Sequence, residues 1–128
     1  MSLRDDVIFR VIHQLIEALA KAAGLRRKNE HAAAAQAIAD GLSSMGLSLE
    51  VLARIDADSL VTLLGDPPKR ALVAAALLEL ARVRAAEGDV AASTMLRATS
   101  SRLLEGIVVP DLLREALAHT PEDARMGW

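Results

Sequence analysis

The sequence contains three histidines and no cysteine, which limits the nitrogen and sulfur ligands available to a metal ion. His13 and Glu17 are four residues apart, a spacing that places two ligands on one face of a helix. Both fall among the polar residues of their segment, so a surface hydrogen bond is the better interpretation. His31 stands beside Glu30 without a second histidine, and His119 lies at an expected helix end, where a cation is favourable. We predict no metal site.

Two serines and one glycine-containing segment have residue types that occur in catalytic or phosphate-binding turns. Ser43 and Ser44 lie between two glycines, but the Gly-x-Ser-x-Gly spacing and the preceding strand of a nucleophile turn are absent. The segment 65–70 contains glycine and lysine without phosphate-loop spacing, and Pro67 and Pro68 remove two amide donors. A helix end and a helix start explain these segments, so we predict no catalytic residue and no cofactor.

Two groups of basic residues are candidate contact surfaces. Arg26, Arg27 and Lys28 follow an apolar segment and are interpreted either as a membrane-surface anchor or as a solvated loop, which we favour. The second group lies further along the chain and could contact an acidic peptide. Its candidate partner contacts are Arg82, Arg84 and Arg97. Arg102 belongs to the same group. We favour the interpretation that these arginines are solvated charges on the helix surface.

The composition predicts one all-helical domain. The 128 residues are 52% hydrophobic and 25% charged, with 2% aromatics and no tyrosine. Alanine and leucine, both strong helix formers, supply most of the apolar residues. A net charge of -2 gives no basic field for nucleic acid. Charged residues interrupt the first apolar run, so we expect neither a signal peptide nor a membrane-spanning helix, and we expect a cytoplasmic protein.

The first helix is predicted over about residues 5–23, with Asp5 and Asp6 at its positive end and Gly24 as its stop. Its apolar residues cover an arc of roughly 220°, where a surface helix needs a stripe of ~100°. This surplus predicts a helix that is buried centrally or that also contacts a second molecule. The candidate self-association surface consists of Ile8, Phe9, Ile12, Ile16 and Leu19.

The remaining segments predict further helices. We expect a basic connection at 25–28, then Asn29 as the N-cap of an alanine-rich helix over about 30–45. Short helical elements are expected near 48–52 and 56–64, and Asp66-Pro67 predicts the start of a long helix. A further long helix runs to about Leu104, and a short one ends near His119.

The segment from Leu77 to Leu104 resembles a tetratricopeptide helix hairpin. The matching features are Leu77, Leu80 and Ala81 on one helix and the turn Glu87-Gly88-Asp89. In that family two antiparallel helices form each repeat, and stacked repeats bind peptides or partner proteins. The sequence departs from the family pattern at two positions, where Arg84 replaces an aromatic residue and Arg97 replaces a large apolar one.

The overall layout is also similar to a small uncharacterised bacterial family. The matching residues are Asp6-Val7-Ile8-Phe9-Arg10 at the start and, at the turn of the hairpin, Glu87-Gly88-Asp89. This resemblance implies a single helix hairpin and supplies no activity.

Together these patterns predict an all-α protein of antiparallel, tetratricopeptide-like hairpins with about three long and three short helices. We expect one domain over 1–119, containing the hairpin at about 67–105, and a frayed tail over 120–128. The expected function is a non-catalytic protein–protein interaction or scaffold module that forms a homo-oligomer, with a dimer favoured, and that also binds an unknown protein partner. The alternatives are peripheral membrane binding and a helical bundle that binds a small molecule. The second alternative requires polar groups that converge in the core, where the long helices offer mainly Ala, Leu and Val.

Overall fold

The computed structural model describes residues 3–118, with the side chains of these residues except 3–8 and Leu112. Within this range the chain forms seven α-helices and no strand, which confirms the all-α prediction. The helices are α1 Leu3–Arg27, α2 His31–Ser43, α3 Leu49–Arg54, α4 Ala57–Leu64, α5 Pro67–Ala86, α6 Val90–Leu104 and α7 Asp111–Leu117. The predicted frayed tail over 120–128 and the predicted helix end at His119 lie outside the described residues.

Two pairs of consecutive long helices pack as antiparallel hairpins. In the α1–α2 pair, Gly41 lies so close to α1 that a Cβ added to it would be 2.7 Å from the Cβ of Ala18. In the α5–α6 pair, the hydroxyl of Ser100 donates a hydrogen bond of 2.8 Å to the carbonyl oxygen of Ala74. Small residues therefore set both contacts, because they allow two helix axes to approach closely. The tetratricopeptide pattern within the second hairpin stays a prediction.

Helix α5 is the central element of the core. It packs against α1, α2, α4, α6 and α7. Every residue from Ala71 to Leu77 is buried, and five of these seven residues are Ala or Val. The short side chains let several helices surround α5 on all sides. The wide apolar arc of α1 faces inward to a large extent, because α1 packs against α2, α5 and α7.

The end of α1 differs from the prediction. The helix continues through Gly24 to Arg27, so the expected basic connection at 25–28 is largely helical. The backbone reverses at Asn29, whose φ is 62°. The amide of Glu30 donates to the carbonyl of Leu25 at 2.9 Å, and the amide of Asn29 donates to that of Arg26 at 3.0 Å. This bond pair is the Schellman ending of a helix.

The prediction of Asn29 as the N-cap of α2 is therefore wrong. Asn29 is needed in the left-handed region to end α1, and Glu30 takes the N-cap position of α2 without a side-chain cap bond. Asparagine suits the left-handed conformation better than most residues. The extra helical turn also places Arg26 in the protein interior, where it is 6% exposed.

Candidate functional site

Three charged residues converge in the interior between α1 and α5. The Nε of Arg26 donates to Oε1 of Glu79 at 3.0 Å, and Nη1 of Arg82 donates to Oε2 of the same carboxylate at 3.4 Å. The side chains of Arg26, Glu79 and Arg82 are 5%, 4% and 6% exposed. We call this group the Arg26–Glu79–Arg82 triad. Buried charges are tolerated when they are paired and hydrogen-bonded, as these are.

Arg82 also attaches α7 to the core. Its Nη1 donates to the carbonyl of Ala116 at 3.2 Å and its Nη2 donates to that of Ala118 at 2.8 Å. The last carbonyl groups of a helix have no partner within the helix, so a guanidinium there satisfies acceptors that would otherwise need water. The triad therefore connects three elements of the fold, α1, α5 and α7.

A cavity of about 360 Å³ lies beside the triad. We call it the α1–α5–α7 cavity. Its volume falls within the range of small-molecule sites, about 300–1,000 Å³. Apolar and charged side chains line it: Ile16, Leu19, Ala20, Ala23, Ala75 and Ala116 on the apolar side, and Arg26, Arg27, Glu79, Arg82 and Glu115 on the charged side. The cavity thus combines an apolar wall with fixed charges.

The three arginines predicted as partner contacts lie in different environments. Arg82 and Arg97 are 6% and 4% exposed, so the interpretation of these two as solvated charges is wrong. Arg82 has acceptors on its own helix and on α7, and Nε of Arg97 donates to the hydroxyl of Ser93 at 3.3 Å. Arg84 keeps 35% of its side chain exposed and pairs with Glu87 at 2.7 Å. Of the three, Arg84 is the accessible candidate for contact with a partner.

The predicted self-association surface is divided between core and solvent. Leu19 is 5% exposed and belongs to the core, and Ile12 and Ile16 are half-buried against it. Phe9 is 52% exposed and meets the ring of His13 edge-on, with 4.6 Å between the ring centroids. The side chain of Ile8 lies outside the described ones. The interpretation of Leu19 as a surface residue is wrong because α1 has three neighbouring helices, which use much of its apolar arc.

Ser44 has a structural contact at the end of a helix. The hydroxyl of Ser44 donates to the carbonyl of Gly41 at 2.6 Å, at the end of α2. Across the described residues, His, Asp and Glu side chains nowhere form a group of three that could hold a metal ion. The helices between residues 3 and 118 include none with the length and apolar character needed to cross a bilayer.

Sequence reasoning missed Arg26 and Glu79 as interior residues. Glu79 carried a usable signal, since it is the single charged residue between Arg70 and Arg82 in a long run of Ala, Leu and Val. An isolated acid on such a helix predicts a buried partner. Arg26 carried no comparable signal, because its position depends on where α1 ends.

Comparison with family models, with curated proteins and with solved structures finds no match to this chain. The two resemblances described above therefore stay predictions.

Proposed function

We propose that this protein is a non-catalytic protein–protein interaction module that forms a homodimer through the N-terminal turns of α1. The observation that carries the proposal is Phe9, the single phenylalanine of the chain, which is 52% exposed on a helix. Large aromatic side chains are the typical anchors of protein interfaces. Val11 and Ile12, which follow it, are only half-buried.

The lengths of the helices explain why these turns are available. Helix α1 has 25 residues and its antiparallel partner α2 has 13, which corresponds to ~37 Å and ~20 Å of helix. The end of α2 reaches the middle of α1, since Gly41 lies against Ala18 and Leu15. The turns of α1 before Ile12 therefore extend past the end of α2. They contain Val7, Ile8 and Phe9 in succession.

The charges in these turns favour a second copy of the chain as the partner. Asp5 and Asp6 precede Phe9, and Arg10 follows it. A two-fold dimer requires a surface that is complementary to itself. In an antiparallel crossing at Phe9, the acidic end of one copy would lie alongside the part of the other copy that follows Phe9 and contains Arg10. The two ends of the crossing would then carry charges of opposite sign near each other.

Sedimentation velocity of three chains tests the proposal. We expect the wild type to sediment as a dimer at micromolar concentration, and Phe9→Asp to sediment as a monomer with unchanged helical circular dichroism. The matched control is Leu63→Asp on α4, which places the same charge on another helix at a residue that is 64% exposed. The control should remain dimeric. A wild type that stays monomeric into the millimolar range, or a Leu63→Asp chain that dissociates as readily as Phe9→Asp, contradicts the proposal.

Peripheral membrane binding receives less support from the geometry. The membrane hypothesis was based on three basic residues at the end of α1. Arg26 is buried, so only Arg27 and Lys28 of these three are exposed. Because surface attraction grows by ~1 kcal/mol for each basic residue near anionic lipid, two residues provide a weak anchor. Flotation with anionic vesicles at low salt tests this alternative, and we expect the chain to stay in the unbound fraction.

A second candidate function, the binding of a small molecule, is favoured by one observation. Charged side chains do converge at the α1–α5–α7 cavity, although the composition of the long helices did not predict it.

A further inference from the structure

We propose that protonation of His13 strengthens the dimer that forms through Phe9, so that self-association increases as the solution becomes more acidic. This inference rests on the proposed function and adds the regulation of the same surface. It is carried by the ring contact between Phe9 and His13, by the charges around that imidazole and by the helical position of Asp6.

The rings of Phe9 and His13 form one exposed unit on α1. Their centroids are 4.6 Å apart, and the angle between the ring planes is 63°. Both residues are exposed, and they lie one helical turn apart. A second molecule that covers Phe9 therefore also approaches the imidazole. The charge of His13 then contributes to the stability of the interface.

Helical spacing places an acidic residue of the second copy beside this imidazole. Successive helical residues are ~100° apart, so positions 6 and 13 lie ~60° and ~40° from Phe9 in the same rotational direction. Along the helix axis they lie ~4.5 Å before Phe9 and ~6 Å after it. The two-fold axis of an antiparallel crossing at Phe9 reverses the helix direction and keeps each position on its side of the plane through both helix axes. Asp6 of one copy therefore lies beside His13 of the other.

Within one copy, the charged groups near α1 leave this imidazole without an ion pair. The charged residues that line the grooves between α1 and the helices packed against it are Asp40 of α2, Glu79 and Arg82 of α5, and Glu115 of α7. Among the side chains that the structure describes, none forms an ion pair with His13, and its ring contact is with Phe9. On α1 itself, Arg10 and Glu17 lie one turn to either side of His13. Glu17 accompanies His13 in the monomer as well as in the dimer, so it does not favour either state.

The sign of the pH effect follows from this placement. An imidazole gains its positive charge between about pH 8 and pH 5, and a nearby negative charge favours the protonated form. The dimer holds an aspartate of the second copy beside each His13, whereas the monomer does not. The dimer therefore gains stability relative to the monomer as the pH falls through this range. Two exposed ion pairs per dimer correspond to an association that is about 3–30-fold stronger.

Sedimentation velocity of the full chain at about pH 8 and about pH 5.5, at equal ionic strength, tests the inference. We expect the dimer dissociation constant of the wild type to fall by about 3–30-fold at the lower pH. His13→Gln and Asp6→Asn should each remove this pH dependence, because each removes one charge of the pair. The matched control is His31→Gln on α2, which removes another histidine and should keep the response. Higher salt should reduce the pH effect in the wild type, since exposed charges are screened.

The outcomes distinguish this inference from the proposed dimer. A wild type that is dimeric with the same dissociation constant at both pH values, or with a weaker dimer at the lower one, overturns the inference while the dimer proposal stands. A response that persists in His13→Gln assigns it to another group and also overturns the inference. A full response in Asp6→Asn shows that the placement of the acid is wrong. A chain that stays monomeric at both pH values overturns the dimer and its regulation together.

Discussion

Glu79 of α5 accepts a hydrogen bond of 3.0 Å from the Nε of Arg26, a residue of α1 that lies 53 positions earlier in the chain. Both side chains are about 95% buried, so this bond joins the two halves of the fold inside the core. Arg82 donates to the other oxygen of the same carboxylate and to the carbonyl groups of Ala116 and Ala118 at the end of α7. A single acidic side chain therefore organises the polar contacts that connect α1, α5 and α7.

We expect the variant Glu79→Ala to lower the free energy of unfolding by ~3–5 kcal/mol. The reason is that Arg26 and Arg82 would keep their charges in the core without the carboxylate that both contact. Urea denaturation followed by circular dichroism measures the change. A loss below ~1 kcal/mol would show that the triad contributes little to folding.

The control is Glu50→Ala. Glu50 pairs with Arg54 at 3.0 Å, but the side chains are 73% and 77% exposed. Exposed ion pairs contribute ~0–1 kcal/mol, because water and salt screen the charges. If the two variants lost the same stability, burial of the triad would not be the cause.

We expect Gly41→Ala and Gly24→Ala to change stability in opposite directions. A Cβ at Gly41 would lie 2.7 Å from the Cβ of Ala18 and 3.1 Å from Cδ1 of Leu15, so α1 and α2 would have to separate. This overpacking should cost ~1–3 kcal/mol. A Cβ at Gly24 meets no atom within 4 Å, and alanine within a helix should stabilise by ~0.5–1 kcal/mol.

A compensating change checks this explanation of Gly41. The double variant Gly41→Ala with Ala18→Gly exchanges the small residue across the contact, and should recover part of the lost stability. Thermal unfolding of the wild type, Gly41→Ala, Ala18→Gly and the double variant provides the comparison. A double variant as unstable as the sum of its two single changes would contradict the steric account.

We expect substitutions of Asn29 to follow its backbone conformation. Its φ of 62° belongs to the left-handed region, which β-branched residues adopt at a cost of ~1–2 kcal/mol. Asn29→Val should lose about that amount, whereas Asn29→Gly should be as stable as the wild type or more stable. If Asn29 acted as an N-cap through its side chain, glycine would lose the cap oxygen and would be the less stable variant. Urea midpoints of the two variants therefore decide between these two roles.

The helices were largely predictable from the sequence, and the interior charges were not. Caps and turn residues mark helix starts locally, as at Ser48 and Asp56, whose side chains accept hydrogen bonds from backbone amides in the first turn of α3 and α4. The burial of Arg82 depends instead on α7, which is distant in sequence. A helical projection assigns a charge to a polar face but cannot show that another element covers that face.

The apolar arc of α1 illustrates the same difference between local and distant information. The arc was evident from residue spacing, and it correctly indicated an unusually wide contact surface. Which part of it meets α2, α5 and α7, and which part reaches solvent at Phe9, depends on the relative lengths of α1 and α2. The length of α1 was not predicted correctly, since its end was expected at residue 23 and lies at Arg27.

The N-cap of α4 predicts a measurable dependence of stability on pH. The carboxylate of Asp56 accepts bonds from the backbone amide of Ser59 at 3.0 Å and from its hydroxyl at 2.7 Å. These bonds favour the charged form, so they lower the pKa of Asp56 below its usual 3.8. A carboxyl whose pKa is lowered by folding contributes stability above its unfolded pKa, and this contribution disappears as the pH falls through the lower, folded pKa.

We therefore expect Asp56→Asn to be less dependent on pH than the wild type, because asparagine can cap the helix but cannot ionise. The difference in urea midpoint between the two chains should be constant near neutral pH and should shrink as the pH falls below the usual pKa of 3.8. Asp66→Asn is the control, since Asp66 occupies the N-cap position of α5 without a side-chain cap bond. If the two variants changed the acid profile equally, the hydrogen bonds to Ser59 would not be the source of the effect, and loss of a negative charge at any helix start would explain both.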